Sequence, residues 1–242
     1  MPFDPFSDFE TAGYLRNAAG EKDLDLVKIA EHQLFRAQLP TALKFLESRK
    51  QISYSDFLEV HRILFAGFYP WAGQDRAITF PDRAVLRGDV YFAHPMDCRR
   101  AVEVGLTMAN IREQMRSRPG HIMGLFAYGH PFLDGNGRTI LVIHTELCFR
   151  AGLSIDWTRI SKTPYLQALT EEIKDPNGGH LDRYLRPYID APIARDQWLM
   201  SVDQIPGLDG TAGTANSTAS YSEPDVAKKY REFEQQRRYD LR

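Results

Sequence analysis

The chain has 242 residues, of which 43% are hydrophobic and 26% charged, a composition that fits one globular domain with appendages. Its formal net charge of -2 excludes a strong overall attraction to nucleic acid or to anionic membranes. No run of 18 or more apolar residues occurs, so no membrane-spanning helix is predicted, and the distant Cys98 and Cys148 are expected to be buried free thiols of a cytoplasmic protein.

The start of the sequence mixes proline, glycine and aromatic residues, which predicts an extended N-terminal arm over 1–23 that packs on the body. It lacks the apolar stretch of a secretory signal peptide, which leaves open delivery into a host cell by a route without such a signal. From Leu24 an apolar stripe with helical spacing predicts a helix. Thr41 is a candidate cap for a second, short helix, and Ser55 is a candidate N-cap for a third helix through Leu64.

Between Tyr69 and Pro95 the helical spacing gives way to short β-prone runs. The runs 77–80 and 90–93 flank a loop with proline, glycine and charged residues, which predicts a β-hairpin flap. The sequence therefore predicts an all-α fold, a helical bundle with a small β-hairpin flap. The further helices are expected over roughly 97–116, from about 120, over 138–150 with Gly152 at the end, and near 163–173 and 181–188.

The C-terminal part of the sequence changes composition twice. Residues 207–222 are rich in glycine, alanine, serine and threonine and almost uncharged, which predicts a flexible linker that we place at 203–222. Residues 223–242 carry six Lys or Arg and five Asp or Glu, which predicts a charged, solvated helix or tail. The globular domain with its flanking helices is accordingly expected over 24–202.

The segment HPFLDGNGR at 130–138 gathers residue types suited to phosphate chemistry. Pro131 stops a helix after His130, whose ordinary pKa near 6.5 suits proton transfer. The glycines that follow let backbone amides converge on an anion at the start of the next helix. Arg138 adds a forked cation for phosphate oxygens, and Asp134 is a candidate ligand for a Mg²⁺ that bridges them.

This segment resembles the signature of the Fic family, HPFx[DE]GNGRxxR, and matches it at eight specified positions. Two further segments agree with that resemblance. Residues 65–76, FAGFYPWAGQDR, resemble the segment that Fic proteins carry before their flap, and residues 91–95, YFAHP, resemble the return strand of the flap. The resemblance extends over roughly 24–189 and implies a Fic-type helical bundle.

The resemblance implies a protein nucleotidyltransferase that moves AMP from ATP-Mg to a Ser, Thr or Tyr hydroxyl of a target protein. It makes His130 the general base, Asp134 the Mg²⁺ ligand and Phe132 a core anchor. It implies that the target binds as an extended segment along the flap at 77–93. The residues that it assigns to the nucleotide phosphates are Gly135, Asn136, Gly137 and Arg138.

One position departs from the signature, because Leu141 stands where the family has a second arginine that grips the γ-phosphate. Two interpretations follow. Transfer persists with looser recognition of the γ-phosphate, with another cation, or with another nucleotide, phosphate or phosphocholine as the transferred group. Alternatively, the chain is a degenerate module that binds nucleotide or protein without turnover. The intact Gly135-Asn136-Gly137 segment argues against the kinase branch of the family.

The inhibitory motif of self-inhibited relatives, [ST]xxxE[GN], has no full match, since Val60 breaks the nearest candidate at 55–60. Control is therefore expected from a separate inhibitor protein, from target access or from delivery, and deletion of the N-terminal arm or of the tail is not expected to raise activity strongly. His144, among apolar neighbours of the helix after the motif, is expected to be a hydrogen-bonded core residue. The sequence gives no indication of the target or the oligomeric state.

Overall fold

The computed structural model describes residues 4–6, 8–205 and 217–237, and the findings below concern these residues. It is a mostly helical body with small antiparallel sheets, as the sequence predicts. The helices are α1 (Phe9–Ala12), α2 (Leu24–Glu47), α3 (Tyr54–Phe65), α4 (Arg76–Thr79), α5 (Cys98–Ala109), α6 (Arg112–Ser117), α7 (Pro119–Gly129), α8 (Asn136–Ala151), α9 (Lys162–Lys174), α10 (His180–Leu185), α11 (Trp198–Asp203) and α12 (Pro224–Arg237). The strands are β1 (Arg83–Arg87), β2 (Val90–Tyr91), β3 (Ser154–Ile155), β4 (Ile189–Asp190) and β5 (Ser217–Ser220). Within the described ranges, no helix is long and apolar enough to cross a membrane.

Helices α7 and α8 form the buried centre and lie on either side of the glycine-rich loop. Every residue of α7 is buried, and α8 is buried along most of its length. Nε2 of His144 lies 2.8 Å from the Pro119 carbonyl oxygen, which ties α8 to the start of α7 and confirms His144 as a core residue. Gly152 ends α8 with a φ of 79°, as predicted. Cys98 and Cys148 are free and buried, also as predicted.

Helix α2 runs without a break through 24–47, so the prediction of a separate short helix capped by Thr41 is wrong. Pro40 lies inside α2, where a proline costs about 3 kcal/mol relative to alanine. Burial of one continuous face offsets this cost, which explains why the helix does not end there. The buried residues of that face are Val27, Glu31, Phe35, Leu39, Ala42 and Leu46.

Helix α3 begins after Ser53, and not after Ser55 as predicted. Ser53 and Asp56 form a capping box, in which the Asp56 amide donates to Ser53 Oγ at 3.3 Å. The Ser53 amide in turn donates to Asp56 Oδ2 at 2.9 Å. Two otherwise unpaired amides are satisfied in this way, which favours Ser53 over the serine two residues later.

The helix predicted over 97–116 is divided into α5 and α6. The division lies at Asn110, whose side chain binds the backbone of a distant residue. Its Nδ2 donates to the Ile52 carbonyl at 2.9 Å, and its Oδ1 accepts from the Ile52 amide at 3.1 Å. This pair of bonds joins the end of α5 to the segment before α3.

The flap contains β1 and β2, but its first half differs from the prediction. Residues 77–80, predicted as a strand, lie mostly in the helical turn α4, because Asp75 accepts a hydrogen bond from the Ile78 amide as the N-cap. β1 instead lies at 83–87, within the predicted loop, and pairs antiparallel with β2. The hairpin is therefore shorter than predicted and begins later in the sequence.

The N-terminal arm packs against the body next to the flap. It contains α1 and so is not extended throughout. The ring centroid of Phe6 lies 3.8 Å from that of Phe80, which follows α4, and the Ala18 amide donates to the Phe68 carbonyl at 2.8 Å. The arm thereby covers the segment that leads into β1.

The C-terminal segment packs on the flap, which corrects the prediction of a linker up to residue 222 and a solvated helix after it. β5 pairs antiparallel with β1 and gives the larger sheet the order β2-β1-β5. Composition does not reveal this strand, because its pairing uses backbone groups that every residue carries. α12 buries Phe233 and Arg237 against the body. Residues 206–216 and 238–242 lie outside the described ranges, and the domain boundaries remain predictions.

Candidate active site

His130 ends α7 in an uncommon backbone conformation. Its φ of 42° and ψ of 56° are left-handed, and among the described residues only glycines share a positive φ with it. Arg76 fixes this conformation, because its Nε donates to the His130 carbonyl at 2.7 Å and its backbone amide donates to the Pro131 carbonyl at 2.8 Å. Backbone strain of this kind persists where the surroundings determine the geometry, and here it sets the position of the His130 ring.

The ring of His130 is buried against the flap and is neutral at neutral pH. It stacks on Phe92, with ring centroids 3.9 Å apart and an interplanar angle of 14°. Burial lowers the pKa of His130 well below its ordinary value of 6.5, and the charges of Arg76 and Arg87 lower the pKa further. A neutral imidazole accepts a proton, so the structure keeps His130 in the form that a general base requires.

The loop after His130 is held by Asn136, the first residue of α8. Asn136 Oδ1 accepts from the Phe132 amide at 3.0 Å, and its Nδ2 donates to the Phe132 carbonyl at 2.7 Å. Both polar atoms of the Asn136 side chain are therefore engaged within the loop, and its backbone amide is the group left for an anion. Gly135 has a φ of 76°, and a Cβ there would come 2.6 Å from the Phe65 ring, so this position requires glycine.

The N-terminus of α8 has the features of an anion site. The first backbone amides of a helix have no acceptor one turn earlier, and here they belong to Asn136, Gly137 and Arg138. A Cβ at Gly137 would meet no atom within 4 Å, so open space lies beside these amides. Nη1 of Arg138 is buried and has no hydrogen-bond partner among the described residues. An anion at this helix end would supply the acceptor that Nη1 lacks.

Asp134 carries a carboxylate whose side chain is 31% exposed and already paired. Its Oδ2 lies 2.7 Å from Lys28 Nζ, and its Oδ1 accepts from the Gly135 amide at 2.6 Å. Burial alone would raise the pKa of Asp134, but the charges of Lys28 and Arg138 lower it below its ordinary value of 3.8. Asp134 is therefore ionised at neutral pH.

The donor set around Asp134 fits one kind of metal ion better than another. No group of three or more histidine, cysteine or acidic side chains suited to a metal occurs in the described part of the chain. Mg²⁺ commonly binds through one or two carboxylates and completes its coordination with phosphates and water. The site therefore fits a Mg²⁺ that arrives with a phosphorylated ligand, and it does not fit a resident structural metal.

Two charged residues of α2, Lys28 and Glu31, belong to the site and escape prediction from the sequence. Glu31 is fully buried and forms an ion pair with Arg138, and Lys28 Nζ lies 3.4 Å from Glu31 Oε2. Burial and the charge of Asp134 raise the pKa of Glu31, against the opposite effect of Arg138. The sequence offers one signal for Glu31, which is its position in the apolar stripe of α2. A buried charge without a partner would be costly there, so the position indicates a charged partner.

His130 and the anion site open into two adjoining cavities of about 70 Å³ and 270 Å³. The smaller cavity is lined by His130 and Asn136, and the larger by Asp134 and Arg138. The two cavities share several lining residues and therefore adjoin, with His130 in the wall of the smaller one and Arg138 in the wall of the larger one. The shared residues are Arg87, Met123, Gly137, Tyr165 and Leu166.

Leu141 forms part of the wall of the larger cavity, one turn after Arg138 on α8. It is 9% exposed and brings no charge to that wall. The cations that line the same cavity come from three different elements, β1, α8 and α9. They are Arg87, Arg138 and Lys162.

Residues 51–148 match the model of the Fic/DOC family. Over 185 residues, the chain is 29% identical to "Protein adenylyltransferase VbhT" of Bartonella schoenbuchensis, and the match covers 69% of this chain and 35% of that protein. The chain thus spans about a third of the length of VbhT. Over 164 residues it is 26% identical to "Probable protein adenylyltransferase y4lH" of Sinorhizobium fredii, covering 64% of this chain and 81% of that protein.

Solved structures of Fic domains share the fold. One is BepC of Bartonella tribocorum with bound AMPPNP, with a TM-score of 0.59, 17% identity, and coverage of 75% of this chain and 95% of that chain. Another is the N-terminal Fic domain of a Bep effector of Bartonella quintana with bound ADP, with a TM-score of 0.62, 20% identity, and coverage of 79% and 96%. The family match, the motif and the fold agree that residues 51–148 carry a Fic domain.

Proposed function

We propose that this protein transfers AMP from ATP to a Ser, Thr or Tyr hydroxyl of a target protein. The observation that carries the proposal is the pair of adjoining cavities with common wall residues, one lined by a neutral His130 and the other by Arg138, whose Nη1 has no hydrogen-bond partner among the described residues. A base and an anion site side by side are what attack of a hydroxyl on the α-phosphorus of a phosphoanhydride requires. The names of the two adenylyltransferase relatives support AMP as the transferred group.

In the proposed reaction, His130 takes the proton of the target hydroxyl while the oxygen attacks the α-phosphorus. The bond between the α-phosphorus and the bridging oxygen breaks, and pyrophosphate leaves. The amides of Asn136 and Gly137, together with Arg138, hold the phosphate oxygens and stabilise the charge that develops on them. Mg²⁺, when bound beside Asp134, would neutralise further phosphate charge.

Recognition of the γ-phosphate must differ from that in relatives with a second motif arginine, because Leu141 supplies no charge. Lys162 is the first residue of α9 and lines the same cavity as Leu141. Arg87 of β1 lines both cavities. We assign the distal phosphates to these two cations, which come from outside α8.

The proposed function is tested by incubating the purified protein with cell lysate, Mg²⁺ and nucleotides labelled at the α- or the γ-phosphate. The matched control is His130→Asn, since asparagine tolerates the left-handed conformation of position 130. Protein label from the α-phosphate that depends on His130 is the expected result. Label from the γ-phosphate alone would identify a kinase, and label from a phosphocholine donor alone would identify that transfer instead.

A second candidate function is a binding module without turnover, which Leu141 favours. In that case no donor would label protein, although nucleotide binding to the folded chain would be measurable. The variant Leu141→Arg separates the two candidates. If it creates labelling where the natural chain shows none, the loss of the second arginine has inactivated the transfer.

A further inference from the structure

The flap strand β1 has a partner on each side. β2 lies on one side, and β5 lies on the other, so that the order is β2-β1-β5. The pairing with β5 runs from Arg83↔Ser220 to Leu86↔Ser217. The edge of β1 that a hairpin alone would leave open is therefore filled by the C-terminal part of the same chain.

Two hydrogen bonds show which backbone groups of β1 face β5. The Phe92 amide donates to the Val85 carbonyl at 3.1 Å, on the β2 side, and the Tyr221 amide donates to the Asp82 carbonyl at 2.9 Å, on the β5 side. Successive residues of a strand direct their backbone groups to alternate neighbours. The backbone amides and carbonyls of residues 84 and 86 therefore face β5. An added strand would form its hydrogen bonds with these same groups.

The helix α12 holds β5 in place. It begins at Pro224, with only three residues between it and the last residue of β5. Tyr230 Oη accepts a hydrogen bond from the His94 amide at 3.0 Å, and the Tyr128 hydroxyl donates to Glu234 at 2.8 Å. A strand tethered through so short a connection has an effective concentration on the order of millimolar at its docking edge.

The same helix covers the other side of the hairpin. The ring of Tyr91 in β2 lies 6.2 Å from that of Tyr230 and 5.9 Å from that of Phe233, measured between centroids. Phe233 is buried by these contacts. The segment 217–237 thus occupies the β1 edge with a strand and packs against β2 with a helix.

We propose that β5 competes with the target for the edge of β1, so that an extended target segment must displace β5 before it pairs with the flap. This inference rests on the proposed function, in which the target binds the flap by strand addition. β5 and the two residues after it read STASYS, so five of these six residues carry a hydroxyl group, as the acceptor segment of a target must. Part of the control then lies within the chain, as control of target access, which is one of the three routes that the sequence leaves open beside a separate inhibitor protein and delivery.

Two proline variants of β5 test this inference. By the alternation above, the Ala219 amide faces β1 and the Thr218 amide faces away from it. Ala219→Pro removes a donor to β1 and should release β5, whereas Thr218→Pro leaves the pairing groups in place and serves as the matched control. Each protein is measured for nucleotide binding, for hydrogen exchange at the Ala84 and Leu86 amides, and for labelling of lysate proteins from α-labelled ATP.

The expected result is faster exchange at Ala84 and Leu86 and labelling raised by about fivefold in Ala219→Pro, the change that one lost hydrogen bond makes to an equilibrium. Thr218→Pro should match the natural chain in both measurements, and nucleotide binding should be the same in all three proteins.

Three outcomes would contradict the inference, and they are distinguishable from one another. Unprotected Ala84 and Leu86 amides in the natural chain would show that β5 does not occupy the edge. Labelling that is present but unchanged or lower in Ala219→Pro would show that the strand does not compete. Absence of His130-dependent label in every protein would overturn the proposed function, and the competition with it.

Discussion

The loop at 130–138 and the flap lie against each other, yet the sequence encodes them in different ways. The loop is one contiguous segment, 130–138, held by bonds such as those between Asn136 and Phe132. The sheet of the flap joins β1 to β5, which come from opposite sides of the helical body in the sequence. The residue types and the turn of the loop are thus specified locally, whereas the sheet of the flap depends on a contact that exists only in the folded chain.

The largest expected effect tests the local half of this comparison. His130→Asn should lower the rate of AMP transfer by about 10²- to 10⁴-fold, because it removes the proposed general base and keeps the backbone conformation. Single-turnover labelling measures the rate, and fluorescence titration should show unchanged nucleotide binding. A variant that retains most of the rate would show that the base lies elsewhere.

The next effect tests how far the loop depends on a distant helix. Glu31→Ala should lower the free energy of unfolding by about 3–5 kcal/mol, because it leaves the buried Arg138 without its partner. Urea unfolding measures the change. The matched control is Glu103→Ala, whose partner Arg99 is exposed, and it should cost about 0–1 kcal/mol. Equal effects of the two variants would mean that the α2 contact does not support the loop.

Substitutions at two glycines of the loop should distinguish an effect on stability from an effect on nucleotide binding. Gly135→Ala should lower the free energy of unfolding by about 1–3 kcal/mol, because of its positive φ and its contact with Phe65. Gly137→Ala should leave stability unchanged or raise it by about 0.5–1 kcal/mol, because alanine favours a helix. It should nevertheless weaken nucleotide binding, since the Cβ enters the space beside the amides. Normal nucleotide binding by Gly137→Ala would show that the anion site does not lie beside Gly137.

Buried histidines make stability depend on pH. Burial lowers the pKa of His61 to about 3 and that of His144 to about 4, and it lowers the pKa of His130. The folded chain keeps them neutral, while the unfolded chain binds protons below about pH 6.5, so stability should fall as pH falls from 6.5 towards 4. The slope should approach about 1.4 kcal/mol per pH unit for each histidine. Urea unfolding at several pH values tests this, and a flat profile between pH 7 and 5 would contradict it.

The smallest expected effect concerns the cations outside the loop. Lys162→Met should weaken ATP binding by about threefold to tenfold and weaken AMP binding less, because the contact is with the distal phosphates. Isothermal titration with both nucleotides measures the difference. Lys174→Met, at the other end of α9, pairs with Asp89 instead and is the control. Equal losses for ATP and AMP would place Lys162 away from the distal phosphates.

The parts of the molecule that the sequence predicts are those with short-range signals. The loop between two helices at 130–138, the burial of α8 and its end at Gly152 each depend on neighbouring residues. The structure has all three where the sequence predicts them. The prediction of a strand at 77–80 is wrong, because Asp75 caps a helical turn that takes up most of these residues. The two helices expected around Thr41 form one, because burial of a whole face outweighs one proline.

What the sequence did not reveal depends on partners far along the chain. Arg76 appears in a recognisable segment, but its bond to the His130 carbonyl requires the folded backbone. Lys28 and Glu31 enter the site only because α2 crosses α8. β5 has a composition typical of linkers, and its pairing uses only backbone atoms. No pattern among neighbouring residues in the sequence predicts any of these contacts.

The contacts of Lys28, Glu31, Asp134 and Arg138 have a consequence for the kind of ligand that this protein selects. Two of these side chains are cations and two are carboxylates, so their formal charges cancel. The group therefore orders the start of α8 without adding net charge to it. The excess positive charge of the larger cavity comes from Arg87 and Lys162, which belong to other elements. A ligand whose phosphates reach these two cations would gain an attraction that the group of four residues does not offer.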